Sequence, residues 1–296
     1  MNGRSGAAGG RWVRTRLRAA QPAVHRAAAG VLLAVLVAGC SGAGPTNRPA
    51  PDPANAPAMV ELTVFAAASL REALGAARES YEAANHGVAL LFSFDGSDTL
   101  RAQLELGAPA DLFASADEAN PRILADAGLA AGPPVSFAGN RLSLVVPADN
   151  PAGIASPLDL ARPGVRLVAA GTSVPITGYA EEMLVMLAGL PGAPPGFLDS
   201  VAANVVSRED NVRAVLAKVE LGEADAGIVY VTDAIVAGDA VRAVTIPDEA
   251  NVVVTYAAVV LRDAPRREAA GAFLAWLAGP GGQAVLARFG FEAPSR

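Results

Sequence analysis

Short runs of β-branched and aromatic residues alternate along this chain with segments whose apolar residues recur at helical spacing. The first pair is typical: residues 62–66 form a predicted strand, and residues 69–84 place Leu70, Leu74 and Ala77 on one face of a predicted helix. The alternation continues to about residue 290. Because parallel strands need a long crossover between them, the pattern predicts an α/β fold with mixed, mostly parallel sheets flanked by helices.

The predicted elements fall into two runs, about 60–140 and 145–235, which indicates two lobes. The last strand and helices are expected to return to the first lobe, so that lobe 1 comprises residues 60–140 and 253–296 and lobe 2 comprises residues 141–252. Strands are predicted at 62–66, 88–94, 111–115, 141–146, 166–170, 204–206, 226–231 and 252–261, and helices at 69–84, 99–106, 121–127, 178–190, 211–221, 266–277 and 281–289.

Residues 1–39 have the pattern of an export signal peptide. Six arginines and no acidic residue accompany a short apolar run, residues 31–38, which is too short to span a bilayer as a helix. The run ends in Ala-Gly-Cys40, which resembles a bacterial lipobox, and we expect Cys40 to receive a lipid. The alternative is an ordinary signal peptide followed by an incidental cysteine. Residues 40–59 are rich in Pro, Gly, Ala and Asn and are expected to form a flexible tether.

Removal of the signal peptide changes the charge of the chain. Six of the 23 basic residues lie in it and none of the 29 acidic residues does, so the mature protein has a net charge near −12. A chain this acidic is not expected to bind nucleic acid. Its net charge would not attract an anionic ligand either.

Residue types that many enzymes need are scarce in this chain. Cys40 is the only cysteine, His25 lies in the signal peptide, and His86 lies in an Asn-His-Gly turn signature. No Cys/His pair, Ser-His-Asp set or metal-spaced cluster remains after processing. The glycine-rich segment 279–282 follows a helix and lacks the Lys-Ser/Thr of a phosphate-binding loop. We therefore expect a protein that is not an enzyme.

Four strand-to-helix junctions have small or polar residues where a helix is predicted to begin: 66–69, 95–99, 171–178 and 207–212. The start of a helix has unpaired N–H groups and a partial positive charge. Several helix starts at one cleft would bind an oxyanion without any lysine or arginine. Each Ser, Asp or Asn at these junctions also has a plainer interpretation, as the N-cap of its own helix, which the sequence leaves open.

The junction sequences together resemble the molybdate-binding periplasmic proteins of ABC importers. The matching segments keep the order of that family from about residue 60 to residue 292, and they are specific in combination, whereas any one alone is weak. They are 63–70 (TVFAAASL), 94–100 (FDGSDTL), 107–117 (GAPADLFASAD), 174–175 (VP) with 179–180 (YA), 211–213 (NVR), 222–230 (GEADAGIVY) and 289–291 (FGF).

The resemblance implies a two-lobed periplasmic-binding-protein fold of class II, with the ligand in the cleft between the lobes. It also implies that hydroxyl and backbone N–H groups bind the oxygens of a tetrahedral molybdate ion, without direct bonds to the metal. By motif, the hydroxyl donors are Ser69, Ser97 and Tyr230, and the backbone donors are Ile176 and Val212.

Two positions bear on this proposed site. The family usually has glycine two places after the proline of Val-Pro, where this chain has Thr177 followed by Gly178, and this departure affects the assignment of Ile176. Asp98 directly follows Ser97, and a carboxylate aimed at a dianion would oppose binding by about 1 kcal/mol at 4 Å in water. We therefore expect the side chain of Asp98 to face away from the cleft.

Together these features predict an extracytoplasmic lipoprotein, anchored to the cell membrane through Cys40, that captures molybdate and also tungstate and delivers the ion to an ABC permease. It is expected to be a monomer and to need no cofactor besides its ligand. Two alternatives stay open. One is a carrier of another oxyanion or of a metal, and the other is an enzyme built on the same two-lobed scaffold.

Overall fold

The computed structural model describes residues 59–294. The predicted signal peptide (1–39), Cys40 and all but the last residue of the predicted tether (40–59) therefore lie outside the described residues. Within the described range the strands are β1 (Val60–Ala67), β2 (Val88–Asp95), β3 (Leu112–Ser115), β4 (Val135–Pro147), β5 (Leu167–Ala170), β6 (Val205–Glu209), β7 (Ala226–Tyr230), β8 (Val241–Val244) and β9 (Val253–Val260).

The helices of the same range follow the strands as the alternation predicts, with short 3₁₀ turns between some of them. A 3₁₀ turn, Ala68–Leu70, leads from β1 directly into the first helix. The helices are α1 (Arg71–Ala84), α2 (Ser97–Glu105), α3 (Ala119–Asp126), α4 (Pro175–Ala188), α5 (Phe197–Ala203), α6 (Val212–Glu220), α7 (Val231–Ala237), α8 (Arg267–Ala278) and α9 (Pro280–Ala287).

The strands form one continuous mixed sheet in the order β2-β1-β3-β9-β4-β7-β5-β6, with β8 paired to β4. In the first half β1 pairs in parallel with β2 and β3, and in the second half β5 pairs in parallel with β6 and β7. The antiparallel pairs all involve β4 or β9. The predicted mixed α/β class with flanking helices is confirmed.

Strand β4 joins the two halves of the sheet. Residues 135–141 pair with β9, whereas residues 142–147 pair with β7 and β8. Because β9 also pairs with β3, the end of the chain returns to the first half of the sheet. The described residues, 59–294, form a single compact unit, so the division into lobes at residues 140 and 253 stays a prediction.

The core forms where each helix buries its apolar face on the sheet. In β1, Leu62 and Val64 are fully buried, and α1 covers that half of the sheet with Leu74 and Tyr81. The ring of Tyr81 packs edge-on against Phe273 of α8 at 5.0 Å between ring centroids. Burying one side chain of this size stabilises the fold by roughly 1.5–3 kcal/mol. The packing of α1 and α8 on the sheet therefore depends on many such side chains together.

Among the described residues, no single helix is long and apolar enough to cross a membrane. Helices α8 and α9 reach that length and composition only as a pair bent by 57°. In α8 the apolar residues Ala270, Phe273 and Leu277 are fully buried in the protein core.

Several boundaries differ from the sequence-based prediction. Strand β4 begins at Val135, six residues before the predicted start, and α4 begins at Pro175, three residues before the predicted start. Proline is favoured at the first position of a helix, because its missing N–H would be unpaired there in any case. Helices α5 and α7 and strand β8 are not predicted from the sequence at all.

Candidate ligand-binding site

A small pocket lies where the carboxyl ends of strands from both halves of the sheet turn into helices. The space inside it that the centre of a water molecule can reach is about 10 Å³. Four of the five predicted ligand-binding residues line it, and they are Ser69, Ser97, Val212 and Tyr230. The full lining comprises Ala67, Ala68, Ser69, Asp95, Gly96, Ser97, Ala116, Val174, Pro175, Asn211, Val212 and Tyr230.

Ser69 lies in the 3₁₀ turn that connects β1 to α1. Its side chain is buried, and its Oγ lies 2.9 Å from the Oη of Tyr256, so that either hydroxyl can be the donor. Tyr256 belongs to β9 and is fully buried. Ser69 is therefore held from behind by a residue 187 positions away in the chain, which local sequence patterns do not predict.

Ser97 is the first residue of α2 and is also buried. Its Oγ accepts a hydrogen bond of 3.1 Å from the backbone N–H of Ala116, and α2 has no side-chain cap. Ser97 is thus not the N-cap of its own helix. Because the bond from Ala116 uses one lone pair of Oγ, the hydroxyl proton is free to be donated to a ligand.

Gly96 allows the two halves of the protein to approach each other beside this serine. A Cβ atom added at Gly96 would lie 2.6 Å from the carbonyl oxygen of Asp210, which belongs to the loop before α6. Contacts that short do not occur between carbon and oxygen, so a side chain here would push the loop of residue 210 away.

Helix α6 begins at Val212, and its N-cap is Asn211. The Oδ1 of Asn211 accepts a hydrogen bond from the N–H of Ala214, while its Nδ2 donates one to Asp95 across the pocket. The plainer N-cap interpretation is therefore right for Asn211. The cap is made to Ala214, which leaves the first-turn N–H of Val212 for a ligand.

Helix α4 presents its first turn to the pocket through Val174 and Pro175, whereas Ile176 is not part of the lining. The side chain of Ile176 faces a separate, larger and mostly apolar recess between α4, α5 and β5. Thr177 is buried, and its Oγ1 donates a 2.7 Å hydrogen bond to the carbonyl of Gly171. Thr177 thus ties down the loop before α4, and Ile176 is left with only its backbone N–H as a proposed donor.

Tyr230 ends β7 and is almost completely buried, at 1% exposed. Among the described residues its hydroxyl has no hydrogen-bond partner. Burial raises the pKa of Tyr230 well above the ordinary value for tyrosine, so the hydroxyl keeps its proton. An unpaired buried hydroxyl costs about 1–3 kcal/mol, and this cost is removed when an acceptor enters the pocket.

Two carboxylates lie near the pocket, and each is bonded through one of its oxygens. The Oδ1 of Asp95 accepts hydrogen bonds from the N–H of Gly96 and from the Nδ2 of Asn211. Asp98 does not line the pocket; its Oδ2 accepts a hydrogen bond from Ser173, and its buried Oδ1 has no partner among the described residues. No lysine or arginine lines the pocket, and the described part of the chain has no group of three or more His, Cys, Asp or Glu side chains that could hold a metal ion.

A charged cluster lies directly behind Tyr230. Asp233 of α7 accepts a hydrogen bond from the N–H of Tyr230 and forms an ion pair of 2.9 Å with Arg213 of α6. Arg213 also pairs with Glu72 of α1, which belongs to the other half of the protein. Burial raises the pKa of Asp233 to about 6, and the positive charge of Arg213 opposes that rise.

Comparison with known proteins gives a consistent set of relatives. The family model described as bacterial extracellular solute-binding protein matches residues 62–292. The chain is 40% identical over 266 residues to the molybdate-binding protein ModA of Mycobacterium tuberculosis, a match that covers 90% of this chain and 97% of that protein. It is 33% identical to YvgL of Bacillus subtilis, a candidate substrate-binding lipoprotein of an ABC transporter, over 88% of this chain and 94% of that one.

A solved structure is similar over the same range. The substrate-binding domain of a candidate molybdenum ABC transporter from Clostridium difficile matches with a TM-score of 0.59 at 31% sequence identity. The match covers 80% of this chain and 100% of that domain.

Proposed function

Because this chain belongs to the bacterial extracellular solute-binding proteins, and within them to the family of the molybdate-binding protein ModA, we propose that it captures molybdate and delivers it to an ABC permease. The observation that carries the proposal is the hydroxyl of Tyr230, which is buried at the pocket without a partner. A buried donor without a partner is rare, and an anion in the pocket would accept its hydrogen bond.

The chemistry of the lining supports an anionic ligand. The polar groups proposed to face the ligand are hydroxyls and first-turn N–H groups, and the Oδ1 of Asp95 already accepts two hydrogen bonds from the protein. The helix starts at Ser97, Pro175 and Val212 add partial positive charge. Such a site holds an oxyanion by oriented dipoles, as helix starts do in other anion sites.

The size of the pocket supports a small ion. The space that the centre of a water molecule can reach is about 10 Å³, which is roughly the room that one buried water needs. Pockets for drug-sized ligands enclose roughly 300–1,000 Å³. This pocket is far smaller, which favours a small ion over a sugar or a peptide. Tungstate has nearly the same size and charge as molybdate and is part of the proposal.

The two-lobed organisation adds a closing movement to the proposal. Lobe 1 (60–140 and 253–296) contributes Ser69 and Ser97, and lobe 2 (141–252) contributes the backbone N–H groups of Ile176 and Val212 and the hydroxyl of Tyr230. Asp98 and Ser173, like Glu72 and Arg213, form contacts between these lobes. We propose that the lobes close around the ligand and that these contacts hold the closed form.

The cellular setting also belongs to the proposal. A lipid on Cys40 would hold the mature protein at the outer face of the cell membrane, and residues 41–58 would let the folded part reach the permease. The protein is proposed to act there as a monomer.

Isothermal titration of the purified protein with molybdate, tungstate, sulfate and phosphate tests the ligand. Molybdate and tungstate are expected to bind with similar affinity, and sulfate and phosphate more weakly. Sulfate is smaller and leaves donors unreached, and hydrogenphosphate carries a proton that the proposed set of hydroxyl and N–H donors is not arranged to accept. Binding of sulfate as tight as that of molybdate would contradict the proposed ligand, and chemical turnover of any ligand would favour an enzyme.

A further inference from the structure

We propose that Tyr256 and Asn140 are positioning residues that fix the hydroxyl of Ser69 as a hydrogen-bond donor to the ligand. The inference rests on the proposed function and deepens it, because it states what orients one of the proposed hydroxyl donors toward the ligand. Neither residue lines the pocket, so both act through Ser69.

The three side chains form a buried chain of hydrogen bonds. The Oγ of Ser69 lies 2.9 Å from the Oη of Tyr256, and the Nδ2 of Asn140 lies 3.4 Å from that same Oη. Ser69, Tyr256 and Asn140 are 3%, 0% and 1% exposed, so water does not compete for these groups. Asn140 lies on β4 and Tyr256 on β9, which pair directly in the sheet.

The orientation of the Asn140 amide follows from its other partners. Its Oδ1 accepts a hydrogen bond of 2.9 Å from the N–H of Arg141, which can only donate. Its Nδ2 therefore carries the two amide protons, and it donates to the Oγ1 of Thr232 at 2.9 Å and points the second proton at Tyr256. The proton of the Tyr256 hydroxyl cannot be directed at an N–H group.

The remaining proton of Tyr256 then has one destination. Among the described residues, the Oγ of Ser69 is the only acceptor within hydrogen-bonding distance of that hydroxyl. Burial raises the pKa of Tyr256 well above its ordinary value, so the proton stays on the tyrosine. Ser69 accepts from Tyr256, and its own proton is left to point into the pocket.

The hydroxyl of Ser97 is also left as a donor, but a backbone group orients it. Its Oγ accepts from the N–H of Ala116, a donor that cannot reverse. Each serine thus accepts one hydrogen bond from a buried protein donor, and the proton of each is left for the ligand. An oxyanion without a proton of its own can accept from both serines.

A double-mutant cycle separates positioning from a general structural role. Tyr256→Phe keeps the ring and removes the hydroxyl that orients Ser69. It is expected to weaken molybdate binding about 3- to 10-fold in the parent protein, measured by calorimetry. In a Ser69→Ala background the same substitution is expected to change binding less than about twofold, because there is no hydroxyl left to orient.

The matched control is Tyr81→Phe, a buried tyrosine of α1 that packs against Phe273 away from the pocket, and it should leave binding unchanged in both backgrounds. If Tyr256→Phe does not unfold cooperatively, the same cycle with Asn140→Asp decides the question. That change turns the amide donor into an acceptor that draws the proton of Tyr256 away from Ser69, and its effect is again expected to shrink in the Ser69→Ala background.

Losses of equal size in the two backgrounds would overturn the inference, because Tyr256 would then act without Ser69. Unchanged binding by Tyr256→Phe in the parent would overturn it as well. A parent protein that binds no molybdate would instead refute the proposed function itself, so the two failures are distinguishable.

Discussion

The Oδ2 of Asp98 accepts a hydrogen bond of 2.5 Å from the Oγ of Ser173, and these residues are the chain neighbours of Ser97 and Val174, which line the pocket. Asp98 belongs to the first turn of α2, and Ser173 lies in the loop between β5 and α4. From the sequence, the carboxylate of Asp98 is expected to oppose an anion if it faces the cleft. In the structure it instead bonds to Ser173 and so connects the two halves of the protein.

We predict that Ser173→Ala weakens molybdate binding roughly 2- to 10-fold, since the hydrogen bond exists only when the halves are close together. The effect should appear mainly as faster release of the ligand, which stopped-flow displacement measures. Ser80→Ala on the exposed face of α1 is the control and should have no effect. Unchanged release by Ser173→Ala would show that this contact does not hold the closed form.

Ser69→Ala and Ser97→Ala should each weaken molybdate binding roughly 10- to 150-fold, because a hydrogen bond to a charged group contributes about 1.5–3 kcal/mol. Ile176→Ala and Val212→Ala should cost much less, since the substitution leaves the proposed backbone donors in place. Calorimetry compares the four proteins. If both serine variants bind molybdate as tightly as the parent, this pocket is not the ligand site. If instead only the substitution of an Asp or Glu abolishes binding, a carboxylate-ligated site becomes the better interpretation.

Tyr230→Phe should have opposite effects on binding and on stability. Without ligand, the variant no longer buries an unpaired hydroxyl, and we expect it to be about 1 kcal/mol more stable than the parent, or roughly 2–4 °C in melting temperature. With molybdate, it should bind roughly 10- to 150-fold more weakly. Thermal melts with and without ligand measure both. A variant destabilised without ligand would mean that the hydroxyl has a partner in the free protein.

The strand–helix alternation predicts the α/β class and most elements because apolar periodicity is a local signal. It misses α7, whose Val231, Thr232, Ile235 and Val236 favour strands. The helix forms there because Asp233 bonds the N–H of Tyr230 at its start and because its buried face packs on the sheet. The first half of β4 is missed for a similar reason, since Gly139 and Asn140 are paired by β9, more than a hundred residues later.

The residues of the candidate site also fall into those that local sequence predicts and those that it does not. Ser69, Ser97, Val212 and Tyr230 lie in local junction motifs, and the fold brings them to one pocket. Tyr256 and Asn140 escape the sequence analysis because the contact of Tyr256 with Ser69 spans 187 residues and its contact with Asn140 spans 116. A signal exists for Tyr256, whose hydroxyl lies in the mostly apolar strand β9 and needs a partner when buried.

Cys40 lies outside the described residues, and its lipid is a prediction from sequence alone. We expect metabolic labelling with a fatty-acid analogue to mark the parent protein, and we expect Cys40→Ser to be unlabelled and to be either released or left unprocessed. The ligand affinity of the Cys40→Ser protein should equal that of the parent, because Cys40 is not one of the proposed ligand-binding residues. Label retained by Cys40→Ser would show that the lipid is attached to another residue, and an unlabelled parent would show that there is no lipid.

The last prediction concerns the buried carboxyl of Asp233. Its pKa of about 6 in the folded protein lies above the ordinary value of 3.8, chiefly because burial disfavours the charged form. The folded state therefore holds this proton more tightly than the unfolded state between about pH 4 and pH 6. Its contribution to stability is present below pH 4 and is lost as the pH rises to 6.

The contribution of Asp233 is isolated by comparing the free energy of unfolding of the parent with that of Asp233→Asn. The asparagine side chain has the same shape as aspartate and does not titrate. Urea unfolding from pH 4 to pH 8 should show the parent losing stability relative to the variant up to about pH 6, with little further change above it. Two other charges face this carboxyl, Arg213 at 2.9 Å and Glu72 beyond it. If the parent instead gains stability relative to Asp233→Asn over this range, the ion pair with Arg213 outweighs burial, and the pKa of Asp233 is lowered in the folded protein.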